Sequence, residues 1–183
     1  KLKVDNFMKT VLVDMDEVIA DPTQAMIQWY KQNFGGDIDY AKMLAGGSMV
    51  SGFPEEHQAK VRQQLYEPGF FRHLPVMEDS IEVLEQMNTR YEIFIVSAAT
   101  EFPNSLKEKF DWLQEHFPFF TWQQLVLCGS KKLMQGDFMI DDHARHLNNF
   151  NGKPYLFSAP HNLNETRFDR LNNWKEVAKV FLK

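Results

Sequence analysis

The sequence predicts an α/β fold: a parallel sheet with helices on both faces and a small helical segment inserted after the first strand. Three observations predict it. Short apolar, β-favouring runs recur at residues 10–13, 91–96, 125–128, 138–140 and 155–157. Stretches with helical apolar spacing lie between strands, and strands separated by helices imply parallel pairing under cover on both faces. Residues 22–74 read as helical, without a strand pattern, and so form an insertion.

Each element has a local cause. The run Thr10 to Val13 ends abruptly in acids, as a buried strand with a loop at its carboxyl end does. Pro22 suits a helix start, where no N–H donor is needed. Met26, Trp29, Tyr30 and Phe34 then follow at i, i+3, i+4 and i+8, a helical stripe that Gly35-Gly36 stops. Residues 37–53 hold glycines and methionines without a clear period. Pro54-Glu55-Glu56 reads as a helix start, with acids at the positive end of the dipole. That helix should reach about Tyr66, before Pro68-Gly69 breaks it. Ile81, Leu84 and Met87 mark the next helix. Leu106, Phe110, Leu113 and Phe117 mark another, and Trp174, Val177, Ala178 and Phe181 the last. Core residues 8–21 and 75–183 would thus flank a cap at 22–74.

Composition narrows the function. The 183 residues suffice for one core with a small insertion, and 44% hydrophobic with 14% aromatic residues exclude a disordered chain. A net charge of −5 argues against binding a nucleic-acid polymer, which needs a basic face. It leaves room for a small phosphorylated substrate, since a metal and a few local cations can outweigh the global sign. The one cysteine, Cys128, allows no internal disulfide and reads as a strand-end residue. No stretch approaches the roughly 20 apolar residues of a membrane span. The first eight residues lack an apolar signal core, so the expected location is cytoplasmic. Met8 reads as a natural start, with residues 1–7 as an expression remnant.

Three strands end in polar chemistry, where open α/β sheets bind ligands. Residues 11–13 lead into Asp14-Met15-Asp16, 94–96 into Ser97, and 138–140 into Asp141-Asp142, with Lys131-Lys132 just before. Four carboxylates at one edge would repel each other, and magnesium, which prefers oxygen ligands, would relieve this. Taken alone, each piece is ordinary: acid pairs are commonly solvated charge, and a Ser or Lys-Lys is commonly a loop. The ordered set Asp-x-Asp, Ser, Lys, Asp-Asp makes chance a poor account. His143 and His146, beside the second pair, could ligate a metal or simply begin an exposed helix.

This ordered set resembles the haloacid dehalogenase (HAD) superfamily, and most closely its 5'(3')-deoxyribonucleotidases. Those enzymes have VLVDMDGVLAD where residues 11–21 read VLVDMDEVIAD. Further similarity lies at Pro68-Gly69-Phe70-Phe71, Glu108-Lys109-Phe110 with Trp112, Gly136-Asp137, Leu156-Phe157 before His161-Asn162, and Asn173-Trp174 with Glu176. The resemblance implies a HAD-like Rossmannoid core and a Mg2+-dependent hydrolase. In it Asp14 is the nucleophile and Asp16 the general acid and base. Ser97 and Lys131 hold the phosphate, Asp142 completes the metal site of Asp14 and Asp16 with Asp141 beside it, and Tyr66 matches a substrate-pocket position. The implied substrate is a deoxynucleoside 5'- or 3'-monophosphate, without membrane or nucleic-acid partners, and a homodimer is compatible with the sequence. The alternatives are a HAD phosphatase for another small phosphorylated metabolite and a catalytically idle binding module. Glu17 replaces the family's glycine, Pro22 its pocket Phe and Ala98 a second hydroxyl. Its mid-cap aromatic pair has no counterpart near residues 42–49.

Overall fold

A computed structural model describes residues 8–46 and 48–183; the expected remnant at 1–7 lies outside the described residues. Six strands form one parallel sheet in the order β3-β2-β1-β4-β5-β6. They are β1 (Thr10–Val13), β2 (Glu92–Ser97), β3 (Leu125–Leu127), β4 (Phe138–Asp141), β5 (Lys153–Phe157) and β6 (Asp169–Leu171). The chain steps outward from β1 through β2 to β3, then returns to place β4 on the other side of β1. That reversal opens a crevice at the carboxyl ends beside β1.

The two-residue period of the strands divides the core. Val11, Val13, Ile93, Ile95, Ile140 and Phe157 face the large cluster. Helices α4 (Ser80–Met87), α5 (Ser105–His116) and α7 (Trp174–Phe181) cover it. Leu12, Val96, Met139 and Leu156 face the opposite side. There the cover is thinner: Leu147 of α6 (Ala144–Leu147), with Met134, Phe150 and Phe168 from loops. The strand β6 was not foreseen. Its sequence, Asp-Arg-Leu, buries only Leu171, so an edge strand this short shows no apolar run.

Between β1 and β2 the chain forms α1 (Pro22–Phe34), α2 (Tyr40–Gly46) and α3 (Glu55–Gln64). Asp21 caps α1 by accepting from Gln24 N at 2.7 Å, and Gly35 ends it in the left-handed region at φ 66°. The aperiodic stretch 37–53 contains α2 and a tight turn at Met49–Gly52. Seven residues are two turns, too few for a readable period. Tyr30 packs against Phe34 and Phe53 and hydrogen-bonds His57 Nδ1 at 2.8 Å. Met26, Met43 and Phe53 are buried in this core, and Leu44 faces solvent.

The inserted segment leaves and rejoins the sheet side by side. Met77 N donates to Ile19 O at 2.9 Å and Asp21 N to Pro75 O at 2.8 Å. Helix α5 grips the returning limb: Glu108 accepts from Gly69 N and Phe71 N at 2.6 and 3.1 Å, and Trp112 Nε1 donates to Leu74 O at 2.8 Å.

Candidate active site

Parallel pairing assembles the acids. Asp14 N donates to Ile140 O at 2.9 Å, so the ladder runs one residue beyond β1 and sets Asp14 beside the end of β4. The chain then turns sharply, with Ile19 N and Ala20 N both on Met15 O at 2.9 Å. Glu17 sits in this turn at φ 60°, in the left-handed region, which explains the family's glycine. Its Oε1 accepts from Thr23 N at 3.0 Å and Thr23 Oγ1 at 2.5 Å, tying this turn to the start of α1. Burial pushes the Glu17 carboxyl up to about 8. The extra acid is therefore neutral below that pH.

Two buried lysines serve the cluster. Lys131 Nζ lies 2.7 Å from Asp14 Oδ1 and 2.6 Å from Asp141 Oδ2. Asp141 also accepts from His143 N at 2.8 Å and meets His146 Nδ1 at 3.0 Å. Both its oxygens are thus engaged, so it anchors Lys131. Burial alone would raise Asp141, yet Lys131 and His146 hold it well below the usual carboxylate range. Burial would likewise lower Lys131, but Asp14 and Asp141 keep its ammonium firmly charged. The second lysine, Lys109, is 1% exposed. Its Nζ sits 2.5 Å from Asp16 Oδ2, 3.0 Å from Ser97 Oγ and 4.7 Å from the centre of the Phe71 ring.

The remaining acids are frustrated. Burial, and then the charges of Asp141 and Asp16, hold Asp14 above its ordinary range against the pull of Lys131. Burial, then Asp14, Asp141 and Glu17, raise Asp142 further. Asp16 Oδ1 and Asp142 Oδ1 are buried without a hydrogen-bond partner among the described residues. Orphaned carboxylate oxygens in an all-oxygen donor set fit a hard divalent cation.

The acids floor a cavity of about 550 Å³ that reaches the inserted segment. Met49, Val50, Leu65 and Tyr66 line it from that segment, with Phe71 and Phe102 beside them and Arg62 and Arg145 as cations. Tyr66 is 58% exposed and meets Phe102 edge-on at 5.1 Å. Pro22 and Ala98 also line the cavity.

Asp14, Asp16, Ser97, Lys131, Asp142 and Tyr66 all border or enter this one site, with Asp141 behind Lys131. Sequence reasoning missed Lys109, His161 and Arg62 as site residues. For Lys109 a signal existed: Ser105, Lys109 and Trp112 lie at i, i+4 and i+7, so a helical phase set on Trp112 turns Lys109 inward. His161 meets Asp142 Oδ2 at 3.1 Å, and its ring stacks 4.4 Å from that of His143. Burial lowers both imidazoles, His143 to about 3 with His161 as the next cause.

Residues 8–183 match the family model of the "5' nucleotidase, deoxy (Pyrimidine), cytosolic type C protein". A 5'(3')-deoxyribonucleotidase of Bacillus subtilis (strain 168) is 37% identical over 177 residues, covering 95% of this chain and 99% of that one. A Staphylococcus aureus (strain MRSA252) chain is 40% identical over 174 residues, covering 95% and 96%. Among solved structures, a haloacid dehalogenase-like family hydrolase from Streptococcus pneumoniae aligns with TM-score 0.57 at 11% identity, covering 95% of this chain and 98% of that one. The L-2-haloacid dehalogenase PA0810 aligns with TM-score 0.55 at 10% identity, covering 96% and 99%. At such identities the structures speak for the fold alone, but the family model spans nearly the whole chain: it belongs to the 5' nucleotidase, deoxy (pyrimidine), cytosolic type C family, on a haloacid dehalogenase-like fold.

Proposed function

We propose that the chain is a Mg2+-dependent phosphomonoesterase of deoxynucleoside monophosphates, acting through an aspartyl phosphate, with residues 22–74 as its cap. One observation carries the reading. Asp14, Asp16, Asp142 and Ser97 line one cavity together with the apolar and aromatic Met49, Val50, Leu65, Tyr66, Phe71 and Phe102, and Lys131 and Lys109 bind Asp14 and Asp16 from behind. Asp14, the backbone carbonyl of Asp16 and Asp142 Oδ1 are the donors we assign to magnesium. When bound, magnesium neutralises the carboxylates and draws charge from the phosphoryl oxygens.

Asp14 attacks phosphorus in line while Lys131 holds its carboxylate and Asp141 holds Lys131. Asp16 protonates the leaving oxygen and later takes a proton from the hydrolytic water. Lys109 on Oδ2 fixes that carboxyl and leaves the unpartnered Oδ1 to carry the proton. Ser97 and both lysines offer donors to the phosphoryl oxygens.

The cavity wall of Met49, Val50, Leu65, Phe71 and Phe102 supports a deoxyribose preference. A ribose 2'-hydroxyl buried there without a partner costs about 1–3 kcal/mol. The test is kcat/KM for dUMP or dTMP against UMP, with magnesium and with excess chelator. We expect a preference of about tenfold for the deoxy substrates and loss of activity in chelator. A ratio of one or less removes the deoxyribose assignment, and full activity in chelator removes the metal.

A further inference from the structure

We propose a second cation site beside the catalytic acids, formed by Asp142, His143 and His161, that takes a borderline first-row divalent ion such as Zn2+. Each of the three residues offers a ligand atom within 4.8 Å of the other two. His161 Nε2 lies 3.1 Å and His143 Nε2 3.8 Å from Asp142 Oδ2. Tetrahedral zinc, with bonds of about 2.0–2.2 Å, spaces its ligand atoms about 3.3 Å apart. The two distances bracket that spacing, so a small rotation of His143 completes the set.

The surroundings favour it. The separation of 3.8 Å is too long for a hydrogen bond, so His143 points its nitrogen at the carboxylate without forming one. The rings stack 4.4 Å apart, which holds both nitrogens on the same side of Asp142. Before a metal binds, His161 Nε2 also lies 3.2 Å from Asp142 O, as its donor. On binding, the proton moves to Nδ1 as a tautomer change, and Asn162 Nδ2 at 2.8 Å keeps that carbonyl satisfied. Asp142 can serve two cations because its oxygens differ: Oδ2 meets the histidines, while Oδ1 is the orphan assigned to magnesium. Two imidazoles and one carboxylate select zinc, cobalt or nickel over magnesium. The side chain of Asp142 is 3% exposed and that of His143 41%, so the ion's remaining positions open toward the cavity.

The test titrates ZnCl2 by calorimetry into the Mg2+-saturated chain without substrate, and examines the zinc-loaded protein by X-ray absorption. We expect one equivalent of zinc with two imidazole nitrogens in its shell. His143→Ala and His161→Ala should each weaken uptake at least about tenfold, with circular dichroism confirming the fold. Three results would overturn the site: no uptake in excess magnesium, an all-oxygen shell, or unchanged affinity in both variants. None of these measures hydrolysis, so failure here stays separate from failure of the phosphatase reading.

Discussion

Lys109 is a cation on a buried helix face, and its environment explains why it is tolerated. Asp16 and Ser97 take its protons and the Phe71 ring lies under it, which offsets the cost of burying an ammonium. Lys109→Met keeps the length and the contact with Phe71 but removes the charge. Losing one fixed donor at a developing charge costs about 10²–10³-fold in turnover. We expect a fall of about a hundredfold in kcat, with circular dichroism unchanged. A variant retaining more than a third of wild-type turnover would make Lys109 structural. Asp14, Asp16, Ser97 and Asp142 were legible in the sequence because each lies at or just past the carboxyl end of a buried strand. Lys109 was not, because half of the stripe chosen for its helix, Leu106 and Phe110, lies one residue out of phase with the buried Ser105 and Lys109, although its other half, Leu113 and Phe117, is buried.

At the scale of elements, the returning limb of the inserted segment depends on α5. Glu108 is one side chain holding two backbone donors, Gly69 N and Phe71 N, while Asn104 Nδ2 reaches Leu65 O at 3.3 Å. These contacts position Tyr66 and Phe71 over the acids. Glu108→Ala releases both donors and lets the wall drift without touching the phosphate floor. We expect kcat/KM for a nucleotide to fall about tenfold, largely through KM, equivalent to about 1.4 kcal/mol of lost positioning. Nitrophenyl phosphate, which makes less use of the cap, should lose less. Equal losses on both substrates would show that Glu108 acts on the floor itself. The long helices announced themselves through their stripes; α2 and β6 did not, since seven and three residues carry too little pattern.

Across the whole molecule, the acid cluster links proton binding, metal binding and stability. Glu17 rises from its ordinary 4.5 to about 8 on folding, and Asp14 and Asp142 also rise, burial being the first cause for all three. Between pH 4.5 and 8 the folded chain therefore holds more protons at Glu17 than the unfolded chain does. Its stabilisation is complete below the unfolded value and lost as pH rises through the folded one. Above about pH 6.5, where His143 and His161 are neutral folded or unfolded, the melting temperature in chelator should fall as pH is raised toward 8. Under the proposed function magnesium binds the native cluster, so it should raise stability by about 2.7 kcal/mol at a hundred times its Kd, most strongly at the upper end of the window. A melting curve indifferent to magnesium at pH 8 would contradict the metal site. Stability in chelator that rises between pH 6.5 and 8 would contradict the raised Glu17 carboxyl. No helix among the described residues is long and apolar enough to cross a membrane.

The sequence by itself determined the parallel α/β architecture and the edge of the sheet on which the chemistry gathers. A buried parallel strand must be a short apolar run, and polar residues directly after it can only lie at its carboxyl end. It also showed where the helical insertion begins, because Pro22 suits a first helical position; the structure added Asp21 as its cap. Only the tertiary structure decided which partners those residues meet. Lys109 reaches Asp16 from 93 positions away, and Trp174 Nε1 reaches Val18 O from 156 away, at 2.7 Å. Asp141 and Asp142 are neighbours in sequence but point to different companions, Lys131 for one and His161 for the other. Local pattern reports the period and the ends of an element. It carries no record of the azimuth at which a helix docks or of the loop that folds back over a strand end. Those follow from packing the whole chain at once, and they separate the acid that anchors a lysine from the one left free for a cation.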